Sequence, residues 1–508
     1  MKLNVVNIPS PGKLGLNTED AGVALATEYA KVATNCVVSR DNRLSARNGF
    51  DVFSPSIPFI GNVGSCFETI NQDGSSEVIF ATESNIYSNY PGVTDITGSV
   101  VNGNNWQFTL LQDTLFAVQA NNTPRAWQKV SNVWTPQIIS LPVGGVDGIP
   151  SLAAEYPNTC ISAFGRVWMA DSTTKKTTVW FSEDLNALNF RTTDAGFIDI
   201  AESLLGGDNI VALGSIGNRL LVMCTNQILI YLVNPEATPF IELEEVVKGV
   251  GCIARDSVVN TGTDLLWLST QGVVSFGRLD RNNGQLPVGD ISANIHSLMQ
   301  DELSIISDFK TVKACWWPVE KTYLLLLRDN SRIYVFNLRQ GTVIITRWED
   351  IKTIRSLLFT KNRQLLFGGT DTFYAYRFYG NTSDSYRMSY YTGYLDLGNP
   401  SAFKFLKNIS FLVKTSSEQL TVIKWGFDYN DNYLSSAALV EGVGGETAEF
   451  GNAQYNIDEY SAGAKLVERR CVASSSGQYL QFGVEAEITG NEFTIYRAEL
   501  QATAGKSY

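Results

Sequence analysis

The chain has 508 residues, too many for one ordinary hydrophobic core unless a repeated architecture absorbs the length. Charged residues make up 18% and hydrophobic residues 44% of the chain, a composition typical of a folded, core-rich protein. The net charge of −12 has the wrong sign for a protein that grips nucleic acid by neutralising phosphates. The one histidine, His296, excludes a paired-histidine metal site and leaves a single candidate base for a serine or cysteine nucleophile.

The cysteines and the N-terminus indicate the cellular compartment in which the chain is made. Seven cysteines are an odd number, they form no C-x-x-C pair, and several lie in apolar runs such as Leu220 to Cys224. This pattern favours buried free thiols made in a reducing compartment over a disulfide framework. The N-terminus has no apolar region of signal-peptide length, and no apolar stretch of about 18 residues occurs. We therefore expect a soluble chain that is not exported by a recognisable route.

Residues 1–60 are punctuated by Pro and Gly and precede every repeat described below. One stretch, Thr27 to Ala33, is helix-like and follows the acidic pair Glu19 and Asp20. The sequence therefore predicts an extended N-terminal arm with a short helix.

From about Cys66 one pattern recurs: an apolar strand, a polar turn, a strongly apolar strand, a short turn, and a strand ending in an aromatic residue. The clearest unit runs from Asn209 to Leu232, with VALGS, LLVMC and ILIYL separated by turns. Similar units span Cys66 to Asn89, Trp106 to Val130, Cys160 to Ser182, Ser257 to Arg278, Val312 to Leu338 and Ile354 to Phe378.

These units, starting near 66, 106, 160, 209, 257, 312 and 354, have the spacing and strand content of β-propeller blades. A propeller blade has two apolar faces and buries both by stacking in a ring. Several unrelated β-sandwiches are the alternative, but they would not place the strongest apolar strand second in each unit. The sequence predicts an all-β fold with a propeller of about seven blades over 61–382.

Two further segments lie outside the repeats. Ile291 to Ile305 has apolar residues on one helical face and predicts a helix inserted after the fifth unit. Residues 383–508 alternate apolar and polar positions over longer runs, which predicts a C-terminal β-sandwich-like domain.

Candidate chemistry is sparse. Glu242, Glu244 and Glu245 could supply paired carboxylates for glycoside hydrolysis, although one strand of charges is more often a solvated or intersubunit face. The loop from Asp428 begins like a calcium-binding EF-hand loop, but it has Tyr433 where glycine is needed, so a polar turn is favoured. His296 is expected at a surface or interface. The sequence predicts no enzyme, no metal and no cofactor.

The stretch from Ile161 to Arg278 carries a resemblance, through FGRVWMAD, VWFSED, the Ile210 to Tyr231 unit, KGVGCIA and DLLWLS. Together with GLN, NCV and RNGF in the N-terminal segment, it resembles the tail nozzle or tail hub proteins of short-tailed bacteriophages. The candidate assembly residues in the arm are Gly15, Leu16, Asn17, Asn35, Arg40, Arg47 and Gly49.

The resemblance implies a structural virion protein assembled in the bacterial cytoplasm. Such proteins form a ring, a homohexamer, around the DNA channel beneath the portal and adaptor, and they contact distal tail, fibre or needle proteins. The ring retains the genome and lets it pass during ejection, without sequence-specific DNA binding. An acidic chain agrees with this role because it repels the phosphates of a sliding duplex.

Two other interpretations stay open. One is a carbohydrate-binding or glycan-hydrolysing propeller of a virion or cell surface, which needs carboxylates converging at one mouth of the ring. The other is a propeller that acts as a scaffold for other proteins.

Overall fold

The structure is a computed structural model. It describes residues 3–507 except 54–60, 72–73, 90–91, 100, 104, 144–147, 205, 278–289, 328–331, 350–353, 370–372, 377–384, 416–418, 431, 441–464 and 490–491.

The N-terminal segment contains five strands, which are β1 (Leu3–Pro9), β2 (Val32–Thr34), β3 (Cys36–Val38), β4 (Leu44–Ala46) and β5 (Phe50–Val52). Seven small antiparallel units follow among the described residues, and we call them blades 1 to 7; six are separate sheets and blade 6 is part of a larger sheet. Blade 1 consists of β6 (Ser65–Ile70), β7 (Ser76–Ala81), β8 (Ile86–Ser88) and β9 (Thr94–Asp95), and blade 2 of β10 (Gln107–Leu111), β11 (Thr114–Gln119), β12 (Asn122–Val130) and β13 (Val133–Gln137). Blade 3 consists of β14 (Thr159–Ala163), β15 (Arg166–Ala170), β16 (Thr178–Phe181) and β17 (Gly196–Asp199), and blade 4 of β18 (Ile210–Ile216), β19 (Arg219–Cys224), β20 (Gln227–Val233) and β21 (Ile241–Lys248). Blade 5 consists of β22 (Val259–Asn260), β23 (Leu265–Ser269) and β24 (Gly272–Ser275), and blade 6 of β25 (Lys313–Trp317), β26 (Thr322–Leu327), β27 (Arg332–Asn337) and β28 (Ile344–Trp348). Blade 7 contains β29 (Ser356–Phe359), β30 (Leu365–Gly368) and β31 (Phe373–Tyr376).

The C-terminal segment contributes β32 (Ser385–Tyr391), β33 (Ala402–Thr415), β34 (Gln419–Phe427), β35 (Leu434–Val440), β36 (Lys465–Gly477), β37 (Leu480–Thr489) and β38 (Phe493–Ser507). Helix α1 (His296–Ile305) lies between blades 5 and 6, and short 3-10 helices span Ala201–Ser203, Arg255–Ser257, Ala293–Ile295, Phe309–Thr311 and Arg339–Gly341. The predicted domain boundary near 382 lies outside the described residues.

The second strand of each blade is central and has both of its faces covered. In β19, Leu220 and Val222 pack into the core shared with blade 3, while Leu221 and Met223 pack into the core shared with blade 5. Because side chains alternate between the two faces of a strand, a strand buried on both faces is apolar along most of its length. This explains why the strongest apolar run stands second in each unit.

Seven buried clusters lie between successive blades and close the ring. Six of them join blades 1 to 7 in order, and the core between blades 5 and 6 continues into the C-terminal domain. The seventh cluster contains Val78 and Phe80 of blade 1 with Leu366 of blade 7, so the last blade contacts the first. The seven-bladed propeller predicted from the repeats is confirmed.

The N-terminal segment closes blade 7. Strand β5 pairs antiparallel with β31 and forms the outer strand of that blade. The side chain of Phe50 is buried and meets the rings of Trp348 in blade 6 and Phe367 in blade 7, with centroids 6.4 and 4.7 Å away. The expectation that residues 1–60 stand outside the propeller is therefore wrong at β5.

The same segment joins the propeller to the C-terminal domain. Strand β2 lies between β28 of blade 6 and β32, which produces one nine-stranded sheet ordered β25-β26-β27-β28-β2-β32-β37-β34-β35. A second sheet, ordered β3-β4-β38-β33-β36 with β1 paired to β38, packs against its C-terminal part around residues such as Phe411 and Phe482. The predicted C-terminal sandwich is confirmed, and it includes four N-terminal strands.

The two helix predictions have different outcomes. The helix predicted over Ile291 to Ile305 is confirmed from His296 onward by α1, whose buried residues include Met299 and Leu303, and it is preceded by the 3-10 helix Ala293–Ile295. The helix predicted over Thr27 to Ala33 is wrong, because this stretch forms turns that lead into β2. Its backbone groups bond across the fold instead, with Ala30 N–H donating to Gly15 and Lys31 N–H donating to Tyr391.

The closure of blade 7 can be tested on two side chains of β5. We expect Phe50→Ala to lower the free energy of unfolding by about 3–5 kcal/mol, because it removes a buried ring from the core between blades 6 and 7. The matched change Val52→Ala affects an exposed residue of the same strand and should stay within about 0.5 kcal/mol. Chemical denaturation followed by circular dichroism measures both, and equal losses would show that β5 does not complete the blade.

Candidate functional site

Six of the seven predicted assembly residues are buried within the protomer, and Arg40 is exposed. Gly15 and Leu16 run beside β28, where Leu16 N–H donates to Ile345 O at 2.7 Å. Gly15 has φ +75°, and a Cβ there would lie 2.4 Å from the same carbonyl oxygen, so only glycine fits. The side-chain oxygen of Asn17 accepts the N–H groups of Glu19 and Asp20 at 3.1 Å and fixes a local turn. Gly49 is buried directly before β5. These residues position the arm within its own chain.

Asn35 and Arg47 join three parts of the fold. The amide of Asn35 donates to Arg387 O at 2.8 Å, and its oxygen accepts Arg47 Nε at 3.1 Å and the N–H of Glu349 at 2.9 Å. The guanidinium of Arg47, which is 1% exposed, lies 3.7 Å from the ring centroid of Tyr386. A buried guanidinium held by an amide and an aromatic ring fixes the N-terminal segment against the C-terminal domain.

The exposed Arg40 lies beside a cavity of about 500 Å³ between β3 and blade 6. Its guanidinium lies 3.1 Å from the carboxylate of Glu320, which also pairs with Arg339. The apolar wall of this cavity includes Val37, Trp317, Val335 and Ile344. An apolar cavity with a cationic rim could accept an apolar segment that ends in an acidic group.

A polar network occupies the propeller axis at one end, and we call it the axial network. Arg255, in the 3-10 helix that leads into blade 5, is 4% exposed and donates to Asn158 O at 2.5 Å and to Asn105 Oδ1 at 3.1 Å. It also pairs with Asp256 at 2.7 Å, and Lys313 pairs with the same carboxylate at 2.5 Å and donates to Asn105. Because blades 2 and 5 stand on opposite sides of a seven-bladed ring, the hydrogen bond from Arg255 to Asn105 crosses the axis.

The charges of the axial network depend on one another. Burial alone would raise the pKa of the Asp256 carboxyl, but Arg255 and Lys313 outweigh it and hold this pKa below its ordinary value. Burial lowers the pKa of Lys313, and Asp256 opposes that effect. Two cations and one carboxylate leave an excess of positive charge at the centre of an acidic protein.

Sequence reasoning missed the axial network. Its members stand immediately before, or at the start of, the innermost strands of blades 2, 3, 5 and 6. A polar residue at that place in successive repeats is the signal that could have identified it, because these strand ends converge on the axis of a propeller.

The outer face of the sheet formed by β1, β38, β33 and β36 carries exposed apolar side chains. Val5 and Val472 lie in one cross-strand row through Gln501 and Asn408 and are 54% and 79% exposed. On the same strand as Asn408, the exposed rings of Phe403 and Phe405 contact each other with centroids 5.9 Å apart. We call Val5, Phe403, Phe405 and Val472 the outer apolar patch.

The predicted carboxylates lie far from the axis. Glu242, Glu244 and Glu245 are exposed on β21, the outer strand of blade 4, where a bulge places Glu244 out of register. The carboxylate of Glu244 pairs with Arg219 at 2.7 Å. These three glutamates therefore lie on a solvent-exposed face. No two of their carboxylates meet at a mouth of the ring.

The other predicted polar sites are structural. The exposed His296 begins α1, with Nδ1 3.6 Å from the carboxylate of Asp290. Asp428 lies in a turn after β34 and accepts the N–H groups of Gln478 and Tyr479, while position 431 lies outside the described residues. The described residues contain no group of three metal-ligating side chains, and none of their helices is long and apolar enough to cross a membrane.

All seven cysteines are unbonded, as predicted, and six are buried. Burial raises the pKa of Cys66 to about 11, and those of Cys160, Cys224 and Cys252 to about 12. Thiols with raised pKa values are poor nucleophiles, so these cysteines act as small apolar residues of the core.

No protein-family model and no curated protein matches the sequence. Among solved structures, the chain is similar to the WD40 β-propeller domain of Doa1, with 10% identity, coverage of 65% of this chain and 96% of that chain, and a TM-score of 0.37. It is also similar to the AfRom2 CNH domain, with 12% identity, coverage of 65% and 99%, and a TM-score of 0.37. The extracellular domain of the putative hybrid two component system BT3049 from B. thetaiotaomicron has 10% identity, coverage of 68% and 46%, and a TM-score of 0.42.

The axial network predicts a large effect of a nearly isosteric change. Asp256→Asn should lower the free energy of unfolding by about 3–5 kcal/mol, because it leaves the buried charges of Lys313 and Arg255 uncompensated. Asp301→Asn, on the exposed face of α1, is the matched control and should change it by less than about 0.5 kcal/mol. Denaturation followed by tryptophan fluorescence measures both.

The pH dependence of the same pair gives an independent check. Because the pKa of Asp256 is lower in the folded chain than in the unfolded chain, its stabilisation is present above about pH 4 and is lost as the pH falls through the folded value. The difference between wild type and Asp256→Asn should therefore shrink as the solution is acidified. A difference that stays constant down to pH 2 would contradict an ionised Asp256 in the network.

Proposed function

We propose that the chain is a structural subunit of a bacteriophage tail, one of several copies that form a ring around the DNA channel below the portal and adaptor. Six copies are expected from the resemblance to tail nozzle and tail hub proteins. In this role the protein is not an enzyme, and it acts through shape, charge and contacts with neighbouring tail proteins.

The outer apolar patch is the observation that carries the proposal. A single chain leaves Val5, Phe403, Phe405 and Val472 in water on one sheet face, and contact with another copy would remove that apolar surface from water. Strand β36, which carries Val472, pairs with β33 and is an edge of its sheet among the described residues. An edge strand with exposed apolar side chains is suited to contact with a second copy.

The axial network supports a channel between copies of the chain. Arg255 crosses the centre of the propeller, so a duplex has no path along the propeller axis at that end. A ring of whole protomers would instead enclose the duplex in a wider central space. A net charge of −12 per copy would favour sliding of the duplex over binding.

The continuous sheet between the domains suits a subunit that transmits mechanical force. Blade 6 and one sheet of the C-terminal sandwich are parts of the same nine-stranded sheet, joined by β2. Force applied to the sandwich would therefore reach the propeller through backbone hydrogen bonds and a shared core.

Oligomeric state tests the proposal. We expect the purified protein to form a ring by mass photometry and negative-stain microscopy, alone or with a portal and adaptor complex. Replacing Phe405 and Val472 together by Ser should weaken ring formation about tenfold or more, because apolar surface no longer leaves water at the contact.

Ile138→Ser is the matched control, since Ile138 is 93% exposed but follows blade 2, away from the patch. It should leave the ring intact, and circular dichroism should be unchanged in all variants. A stable monomer that cleaves a host surface glycan would overturn the proposal. A ring unaffected by the double substitution would place the contacts elsewhere and remove the observation on which the proposal rests.

A further inference from the structure

A small pocket opens beside the axial network, with a volume of about 140 Å³. It lies where the innermost strands of blades 1, 2, 6 and 7 begin. The residues that line it are Gly64, Asn105, Asp308, Lys310, Thr311, Lys313 and Arg355. The pocket is therefore built by four blades and by the 3-10 helix Phe309–Thr311 that leads into β25.

The charge of the pocket is positive. Three cationic side chains line it, Lys310, Lys313 and Arg355, against one carboxylate, that of Asp308. Behind Lys313, the charge of Asp256 is already shared with Arg255. These cations attract an anion in the pocket strongly, because water screens charges less in a recess than at the surface.

Hydrogen-bond donors in the pocket exceed the acceptors that use them. The ammonium of Lys313 is about nine-tenths buried and has two acceptors, Asp256 and Asn105, for its three N–H groups. The side-chain oxygen of Asn105 accepts from Arg255 and Lys313, while its amide N–H groups meet no acceptor among the described residues. The exposed ammonium of Lys310 likewise has no hydrogen-bond or ion-pair partner within the described part of the chain.

The remaining lining groups have partners within the protein. Asp308 accepts the N–H of Lys310 at 3.0 Å, and the Thr311 hydroxyl donates to Asp308 O at 2.7 Å. Arg355 acts on the exposed Glu83, whose pKa is lowered although partial desolvation opposes this, because Asn62 donates to the carboxylate and Arg355 adds a favourable charge. The binding capacity of the pocket rests on the two lysines and the Asn105 amide.

We propose that this pocket binds a single small oxyanion, a phosphate or a carboxylate group, between Lys310, Lys313 and the amide of Asn105. The volume suits one such group and excludes a nucleotide. An oxyanion offers several acceptors at once, so it would use the spare donor of Lys313 and offset the cost of burying its charge. This inference is independent of the ring, because every lining residue belongs to one protomer.

Titration of the full-length protein with inorganic phosphate and, separately, with acetate tests the proposal. The protein is first dialysed into chloride, and the ionic strength is held constant. We expect one of the two anions to bind saturably by isothermal titration calorimetry and to raise the melting temperature above that in chloride. The stronger of the two identifies whether phosphate or carboxylate chemistry is preferred.

The decisive variant is Lys310→Gln, which removes an exposed charge and should fold normally. It should weaken anion binding about tenfold, because one charge-assisted hydrogen bond is lost. Lys407→Gln removes another exposed lysine, on β33 of the C-terminal domain, and should leave the affinity unchanged. Lys313→Gln should abolish binding if it folds.

Two results would overturn the proposal. The first is the absence of saturable binding of either anion to the wild-type protein. The second is equal affinity of the wild type, Lys310→Gln and Lys407→Gln, which would mean that any binding takes place elsewhere on the molecule.

Discussion

Closure of the ring is the constraint on which the rest of the structure depends. Each blade is apolar on both faces, so the first and last blades must meet or each would leave one face in water. They meet through a small core that includes Val78, Phe80 and Leu366. The outer strand of blade 7 is β5, from the opposite end of the chain. The last blade is thus completed by a strand that precedes the whole propeller in the sequence.

The N-terminal segment also joins the propeller to the C-terminal domain. Between β1 and β5 the N-terminal segment adds strands to both sheets of the sandwich, and β2 makes one of them continuous with blade 6. Two buried residues fix this segment against the C-terminal domain. Asn35 donates a hydrogen bond to Arg387 O and accepts one from Arg47, whose guanidinium stacks on the aromatic ring of Tyr386. The buried residues of the arm hence have a structural role within the protomer, and the exposed side chains of β1, β33 and β36 remain for contacts outside it.

How much the sequence predicts depends on whether a strand pairs with its neighbours in the chain. The blades were predictable because β19 pairs with β18 and β20, and its alternating apolar faces are visible in one short run. Strands β2 and β5 have three residues each and pair with β32 and β31, so no local pattern marks them. The helix prediction over Thr27 to Ala33 was wrong for the same reason, because distant backbone partners outweigh a weak local propensity. Arg255 and Asp256 were missed because their hydrogen-bond and ion-pair partners come from separate blades that meet only at the propeller axis.

Net charge and local charge have different consequences in this protein. The chain as a whole is acidic, and its field repels a long polyanion that approaches from outside. At the propeller axis, however, Lys310 and Lys313 line the same small pocket. A small oxyanion that reaches this recess responds mainly to the nearby cations, whereas a duplex is too wide to enter. The acidic net charge is therefore compatible with the proposed anion site at the axis.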